Sequence, residues 1–139
     1  MYGSLDVSTS ALVAYRTDLD VIAGNVAMKD ATHEVDGEVV PYRRRVPLFS
    51  VGDPARGKDA SGVHVSGIVE DPTPFGLRWD PDNPDAIKNG EQKGYVRVSN
   101  VDYHTEMVNA MTAARAYEAN VTVMEMTKHM TTATLQLIA

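Results

Sequence analysis

The chain has 139 residues, a formal net charge of −6 and no cysteine. This length predicts one domain with at most a small satellite, the negative charge disfavours nonspecific binding to nucleic-acid backbones, and the absence of cysteine excludes disulfides, thiolate catalysis and cysteine-ligated metal. No apolar run of about eighteen residues predicts a transmembrane helix, and the first residues lack the features of a cleaved signal peptide.

A heptad-like pattern predicts an N-terminal helix over residues 6–27, within a helical segment of residues 1–30. Apolar residues recur at alternating spacings of three and four, which is typical of a helix that presents a narrow seam to a partner helix. Ser4 and Asp6 are the two candidate N-caps. The seam consists of Leu5, Ser8, Leu12, Tyr15, Leu19, Ile22 and Val26.

The sequence of the middle region, residues 31–100, predicts short strands and turns. All seven prolines lie between Pro41 and Pro84, and proline interrupts helices. Runs of β-branched and aromatic residues predict strands. These strands cover residues 46–51, 63–69, 77–79 and 94–98.

A second helix is predicted over the C-terminal segment, residues 101–139. No glycine or proline occurs from Asn100 onward, and Asp102 or Thr105 is the expected N-cap. A helix of about thirty-five residues is roughly 50 Å long. The last twenty-one residues carry only Glu125 and Lys128 as charged side chains, so the helix is apolar to its end.

Two apolar stripes point in nearly opposite directions on this second helix. The shorter N-terminal helix cannot cover both, and each uncovered large apolar side chain forfeits roughly 1.5–3 kcal/mol of burial. Either another molecule covers the remainder or the middle region folds back over it, and the pattern leaves both open. One stripe contains Tyr117, Val121, Met124 and Leu135, and the other contains Val123, Met126, Met130 and Leu137.

Residues 52–59 nearly match the phosphate-binding loop G-x-x-x-x-G-K-[ST]. Asp59 replaces the hydroxyl residue that binds magnesium, Pro54 removes a backbone amide, and no helix pattern follows. We therefore expect a surface loop here, without a nucleotide.

Residues 80–91 place Asp80, Asp82 and Glu91 at the first, third and last positions of a calcium-binding loop. Asp85 occupies the position at which that loop requires glycine for its sharp turn. We expect turns here, without calcium.

No other pattern predicts catalysis or ligand binding. The four histidines are isolated in the sequence and match no metal-binding spacing, and no G-x-S-x-G segment marks a nucleophile. The basic run Arg43-Arg44-Arg45 is interpreted as a solvated edge or as salt-bridge donors. The sequence therefore predicts no catalytic residue, cofactor, metal or small-molecule substrate.

Both ends of the chain resemble bacterial flagellar axial proteins. Residues 6–27 contain S-A-L-V-A and L-D-V-I-A-G-N-V-A, similar to the S-A-L-x-A and L-D-V-I-A-x-N-I-A-N signature of these proteins. Residues 106–121, E-M-V-N-A-M-T-A-A-R-A-Y-E-A-N-V, resemble their C-terminal box. With P-Y-R-R at 41–44 and segments 62–74, 80–86 and 94–101, the chain resembles the flagellar basal-body rod protein C family of the proximal rod.

This resemblance implies an α+β fold in which the terminal helices pair as a coiled-coil-like hairpin and line a tubular axial structure, with the β-rich middle region outside. It implies a place in the basal body, in the rod that spans the periplasm. Export through the flagellar type III apparatus without a cleaved signal peptide is implied as well. Expected partners are other rod subunits, further copies of the chain and the export apparatus, without nucleic acid.

We predict a non-enzymatic structural rod subunit that transmits torque and encloses an export channel; a soluble helical adaptor or export chaperone is the alternative. We expect Arg115 and Glu118 either to set helix register or to form an exposed ion pair. We expect Asn25 and Asn120 to bridge backbone groups or neighbouring molecules. The predicted assembly interface consists of Leu5, Leu12, Leu19, Ile22, Tyr117, Val121, Val123, Met124, Met126, Met130, Leu135 and Leu137.

Overall fold

A computed structural model describes residues 2–35, 38–52 and 61–138, without the side chains of Tyr2, Val35, Leu137 and Ile138. The near-match to a phosphate loop therefore lies, except for Gly52, outside the described residues. The elements in chain order are α1 (Tyr2–Met28), β1 (Thr32–Val35), β2 (Glu38–Pro41), β3 (Arg45–Val51), β4 (Val63–Glu70), β5 (Gly76–Trp79), β6 (Tyr95–Val98) and α2 (Tyr103–Ile138). This order confirms the predicted α+β fold with a helical hairpin.

Both predicted helices are present, and α1 begins four residues earlier than predicted. It ends at Met28, whose carbonyl accepts a hydrogen bond from the Ala31 amide at 2.9 Å. Asp102 is the N-cap of α2, because its Oδ2 accepts a bond from the amide of Thr105 at 3.2 Å and its Oδ1 one from the amide of His104 at 3.3 Å. These bonds satisfy amides that have no partner within the helix.

The middle region forms three two-stranded antiparallel hairpins, β1–β2, β3–β4 and β5–β6. Strands β3 to β6 confirm the four predicted strands to within one residue at each end. The β1–β2 hairpin, with Thr32 opposite Pro41, was not predicted. Its sequence signal is the Asp-Gly dipeptide at positions 36 and 37, a combination favoured in two-residue hairpin connections.

Helix α1 packs against α2 and also against the β3–β4 hairpin. The rings of Tyr15 and Phe49 lie 5.8 Å apart, and the Val63 amide donates to Ser10 Oγ at 3.1 Å. The middle region thus folds back onto α1, and the exposed residues of α2 described below remain open. No helix within the described ranges is long and apolar enough to cross a membrane.

Few large apolar side chains are buried in the described part of the chain. The residues with less than a tenth of their surface exposed include three alanines, Ala11, Ala14 and Ala113. By contrast, many large apolar side chains of the helices and strands remain accessible. Burial of apolar area is the main favourable term in folding, so a single copy leaves much of this stabilisation unused.

Candidate functional site

Small residues are among the most deeply buried side chains of the two helices. Ala14 and Ala113 are each only 2% exposed, and Ser8 and Ala11 are also buried. Small side chains let two helix backbones approach closely, since the interaxial distance depends on the side chains at the contact. The predicted seam residues Leu5, Leu12 and Leu19 are half-buried beside them, and Ile22 is buried.

The two predicted stripes of α2 differ in exposure along the body of the helix. Tyr117, Val121 and Met124 are half-buried. On the other stripe Val123, Met126 and Met130 are 46%, 62% and 66% exposed. Leu135 belongs to the first stripe and is 63% exposed near the end of the helix. Leu137 lies in α2, but its side chain is outside the described part. We call Val123, Met126 and Met130 the exposed stripe.

A fully buried carboxylate joins the helices to the middle region. Glu106, in the first turn of α2, has no exposed surface. Its Oε1 accepts a bond from Arg44 Nε at 2.8 Å, and its Oε2 accepts one from Asn25 Nδ2 at 3.0 Å. A buried charge is tolerated only when it is paired and hydrogen-bonded, and both conditions are met here. We call Asn25, Arg44, Asp71, Asn100 and Glu106 the polar junction.

Both the nitrogen and the oxygen of the Asn25 side-chain amide form hydrogen bonds. Nδ2 also donates to the Arg45 carbonyl at 2.8 Å, while Oδ1 accepts from the Arg45 amide at 2.9 Å and from the Tyr42 hydroxyl at 3.1 Å. The residue is 1% exposed. Asn25 therefore bonds to both backbone groups of Arg45 within the chain.

Arg44 extends the junction to the segment after β4. Its Nη1 lies 3.1 Å from Asp71 Oδ2, and its backbone amide donates to Asn100 Oδ1 at 2.8 Å. Hydrogen bonds from the hydroxyl and amide of Thr73, and then from Arg44, lower the pKa of Asp71 to about 2. The prediction that the arginine run supplies salt-bridge donors is confirmed for Arg44.

Asp18 lies beside this junction without a hydrogen bond to it. It lines a cavity of about 340 Å³ together with Glu106 and Arg44. Burial is the first cause that raises the pKa of Asp18, and the negative charge of Glu106 is the second; Arg44 partly opposes them. The carboxylates of Asp18 and Glu106 therefore lie in the same cavity and repel each other, and Arg44 offsets this repulsion only in part.

The remaining predicted polar residues are not part of the junction. Asn120 Nδ2 donates to the Ala116 carbonyl one turn earlier at 2.8 Å. Arg115 and Glu118 are exposed, and their role in setting register stays a prediction.

The junction is built to hold segments together, since its groups bond to one another. No buried polar side-chain atom in the described residues lacks a hydrogen-bond partner. Those residues also contain no cluster of three His, Asp or Glu that could hold a metal. Sequence reasoning missed Asp71, Asn100 and Glu106 as site residues. The signal for Glu106 was its position in the quoted C-terminal box, but its burial cannot be read from spacing.

Comparison with known proteins identifies similar sequences. Residues 92–137 match the family model described as flagellar basal body rod FlgEFG protein C-terminal. The chain is 44% identical to the flagellar basal-body rod protein FlgC of Bacillus subtilis over 98% of this chain and 97% of that protein. It is 41% identical to FlgC of Salmonella typhimurium, covering 95% of this chain and 93% of that protein. With FlgC of Buchnera aphidicola the identity is 40%, at the same coverage of 95% and 93%.

Proposed function

The chain belongs to the flagellar basal-body rod protein FlgC family, and on this premise we propose that it polymerises into the rod through its two terminal helices. It is a structural subunit of the flagellar basal-body rod and assembles with other rod components. The comparisons give no support to the alternative of a soluble adaptor or export chaperone. The proposal concerns which surfaces assemble and what they do.

The single observation that carries this proposal is the exposed stripe of α2. Val123, Met126 and Met130 lie on one continuous helix, each with about half or more of its surface accessible. Large contiguous apolar surfaces on soluble chains are typical of sites that contact other proteins. Burying each of these side chains in a polymer contributes roughly 1.5–3 kcal/mol, so contact with neighbouring subunits stabilises the assembled state.

We therefore divide the chain into a helical part that assembles and a β-rich middle part. Residues 1–30 and 101–139 form the axial helical domain, which lines the rod and encloses the export channel. Residues 31–100 lie outside it and are fastened to the helices by the polar junction. The subunit transmits torque mechanically and without catalysis, and the seam of α1 and both stripes of α2 form its assembly interface.

We also propose how the subunit is exported and where the rod lies. The subunit reaches the basal body through the flagellar type III export apparatus without a cleaved signal peptide, and the rod spans the periplasm. A narrow export route requires a chain that is easily unfolded, and the small core of the single copy supports this.

The experiment replaces Val123 and Met126 together by aspartate in the full chain. Charged groups cannot be buried in an apolar interface without a large penalty, so the variant should be absent from purified basal bodies and the cells non-motile. The matched control is Val123→Leu with Met126→Leu, which keeps the surface apolar and should be incorporated. Fluorescence of Trp79, the single tryptophan, checks that the middle region is still folded. Normal incorporation of the aspartate variant would refute the proposed interface.

A further inference from the structure

We propose that the distal segment of α2, residues 127–138, docks into a groove between α1 and the β3–β4 hairpin of a second copy of this chain. The inference rests on the proposed function, because it concerns one contact within the assembled rod. Four observations support it: the length of α2 beyond α1, the hydrogen bonding of its threonines, the shape of the groove, and the charge of both surfaces.

The distal segment extends past the start of α1. Asn25 and Glu106 are in contact, so in the antiparallel hairpin Tyr2, the first residue of α1, lies opposite the region of residue 129. Helix α2 continues without interruption to Ile138, which adds roughly 13 Å at about 1.5 Å per residue. The described part of the chain contains no third helix that could pair with this extension.

The hydroxyl groups of threonines in the distal segment donate hydrogen bonds to carbonyls one turn earlier in the same helix. Thr127 donates to the Val123 carbonyl at 2.8 Å, Thr132 to the Lys128 carbonyl at 3.0 Å, and Thr134 to the Met130 carbonyl at 2.8 Å. A hydroxyl with a partner avoids most of the penalty for burial. These residues can therefore present methyl groups to an apolar neighbour. At 100° per residue, Thr132 lies beside Leu135 on one side of the helix, and Thr127 and Thr134 lie beside Met130 on another.

The groove has a size and a lining suited to such a helix face. It is an open cavity of about 670 Å³, and its walls include Val13 and Thr17 of α1 and Val65 and Ile68 of β4. Val13 and Ile68 are 64% and 50% exposed. Gly67 forms part of the wall and has open space around its Cα, so a helix can approach the hairpin backbone there.

Both surfaces carry little charge. Among the described residues, no Asp, Glu, Lys or Arg lines the groove. Lys128, at the start of the distal segment, is its only Lys, Arg, Asp or Glu. A neutral helix end can enter a neutral groove without removing an ion from water, which costs several kcal/mol per ion. The acidic surface elsewhere on a chain of net charge −6 does not favour such contact.

The distal segment cannot reach the groove of its own molecule. Position 13 of α1 lies opposite the region of residue 118 in the hairpin, and Leu135 is therefore about 25 Å farther along α2 at 1.5 Å per residue. An uninterrupted helix does not fold back. A second copy supplies both surfaces without any change in the fold.

The cysteine-free chain permits a direct test by disulfide cross-linking. Flagellated cells express two full-length, differently tagged chains, one with Val13→Cys and the other with Leu135→Cys, and are then oxidised. A disulfide needs Cα atoms within about 7 Å, so a mixed dimer in purified basal bodies reports this contact between copies. Ile68→Cys replaces Val13→Cys in a second pair. The control pair is Val13→Cys with Val108→Cys, since Val108 is 59% exposed near the other end of α2.

We expect mixed dimers from both test pairs, about tenfold or more above the control pair, as for groups held at a high effective concentration. Basal bodies that contain all variants but show no such excess overturn the docking contact and leave the proposed function intact. Cross-linking of Leu135→Cys to a different protein also overturns it. If the wild-type chain is absent from basal bodies, the proposed function fails and this inference fails with it.

Discussion

Asn25, near the end of α1, donates a hydrogen bond of 3.0 Å to Glu106 in the first turn of α2, across 81 positions of sequence. Both side chains are essentially inaccessible to water, with 1% and 0% of their surface exposed. Polar groups buried in this way specify one arrangement, since any slip of the helices leaves them without partners. The contact therefore fixes the register of the hairpin.

Replacing Glu106 by glutamine should lower the free energy of unfolding by about 3 kcal/mol, as is typical when one partner of a buried ion pair is removed. The amide NH₂ of glutamine must face either Arg44 Nε or Asn25 Nδ2, and both of these are donors. Urea denaturation followed by circular dichroism measures the change. Glu118→Gln is the control on the same helix; Glu118 is exposed, and the change should stay within about 0.5 kcal/mol. Equal effects of the two substitutions would contradict a structural role for the junction.

Asn25→Asp tests the junction by adding charge without changing shape. The new carboxylate would lie about 3 Å from that of Glu106 and also face the Arg45 carbonyl. Like charges at this distance disfavour joint ionisation, so the variant should be less stable than the parent at pH 7. The deficit should shrink as the pH falls and one carboxyl group takes up a proton.

Asn120→Asp is the matched control, because Asn120 bonds only one turn back along its own helix. Thermal unfolding at several pH values between 4 and 8 compares the two variants. A deficit of Asn25→Asp that does not change with pH would indicate that lost hydrogen bonds, and not charge, cause the destabilisation.

The helices and four of the strands could be predicted because their signals are local. Proline and glycine positions bound the helices, and runs of β-branched residues such as Val63 and Val65 mark strands. The β1–β2 hairpin was missed because its strands have only four residues each and because β1 is largely polar, with Thr32, His33 and Glu34 exposed. Such strands lack the alternation of apolar and polar residues on which the prediction relied.

The polar junction could not be predicted because its members come together only in the tertiary structure. Nothing near Glu106 in the sequence indicates that Arg44 will neutralise it, or that Asn25 will bond to it. The heptad pattern favoured the leucines of α1, whereas Ala11 and Ala14 are more deeply buried than Leu5, Leu12 or Leu19. Pattern analysis ranks residues by hydrophobicity, and close helix packing selects small size.

Asp71→Asn should reduce stability at pH 7, and this loss should disappear at acidic pH. The folded-state pKa of Asp71 is lowered to about 2 by Thr73 and Arg44. A carboxyl group with a lowered folded-state pKa stabilises the fold above its ordinary pKa of about 3.9, and this contribution is lost as the pH falls towards 2. Unfolding midpoints in urea between pH 7 and pH 2 measure the effect. Asp82→Asn, in an exposed turn, should change little; a constant deficit of Asp71→Asn down to pH 2 would contradict the assignment.

Asp18→Asn should have the opposite sign and stabilise the chain at pH 7. Burial and the charge of Glu106 raise the pKa of Asp18 in the fold, so the ionised carboxylate is disfavoured there. Stability is therefore gained as the pH falls through this raised pKa and lost as it rises. Because the side chain is still partly accessible, the gain from Asp18→Asn should be below about 1 kcal/mol. Asp20→Asn, at an exposed position of the same helix, is the control, and an equal gain there would point to reduced net charge as the cause.

Gly94→Ala and Gly90→Ala separate backbone strain from steric contact in the β5–β6 region. Both glycines have positive φ, +84° and +94°, so each alanine should cost about 1–2 kcal/mol of stability, as expected for L-residues in the left-handed region. Only at Gly94 would the new Cβ meet a side chain, at 2.7 Å from Cζ3 of Trp79. Trp79 is 61% exposed, so its ring can move aside, away from its edge-on contact with Tyr95 at 4.9 Å.

We therefore expect similar losses of stability in the two variants but a changed emission spectrum in only one. Trp79 is the single tryptophan, which makes fluorescence specific for this ring. Gly94→Ala should shift the emission maximum of the folded protein, because displacement changes the exposure of the indole, whereas Gly90→Ala should leave it unchanged. Gly67→Ala, with ordinary φ and open space, should alter neither quantity strongly. An unchanged spectrum in Gly94→Ala would mean that the backbone absorbs the contact, and the stability loss of that variant should then exceed that of Gly90→Ala.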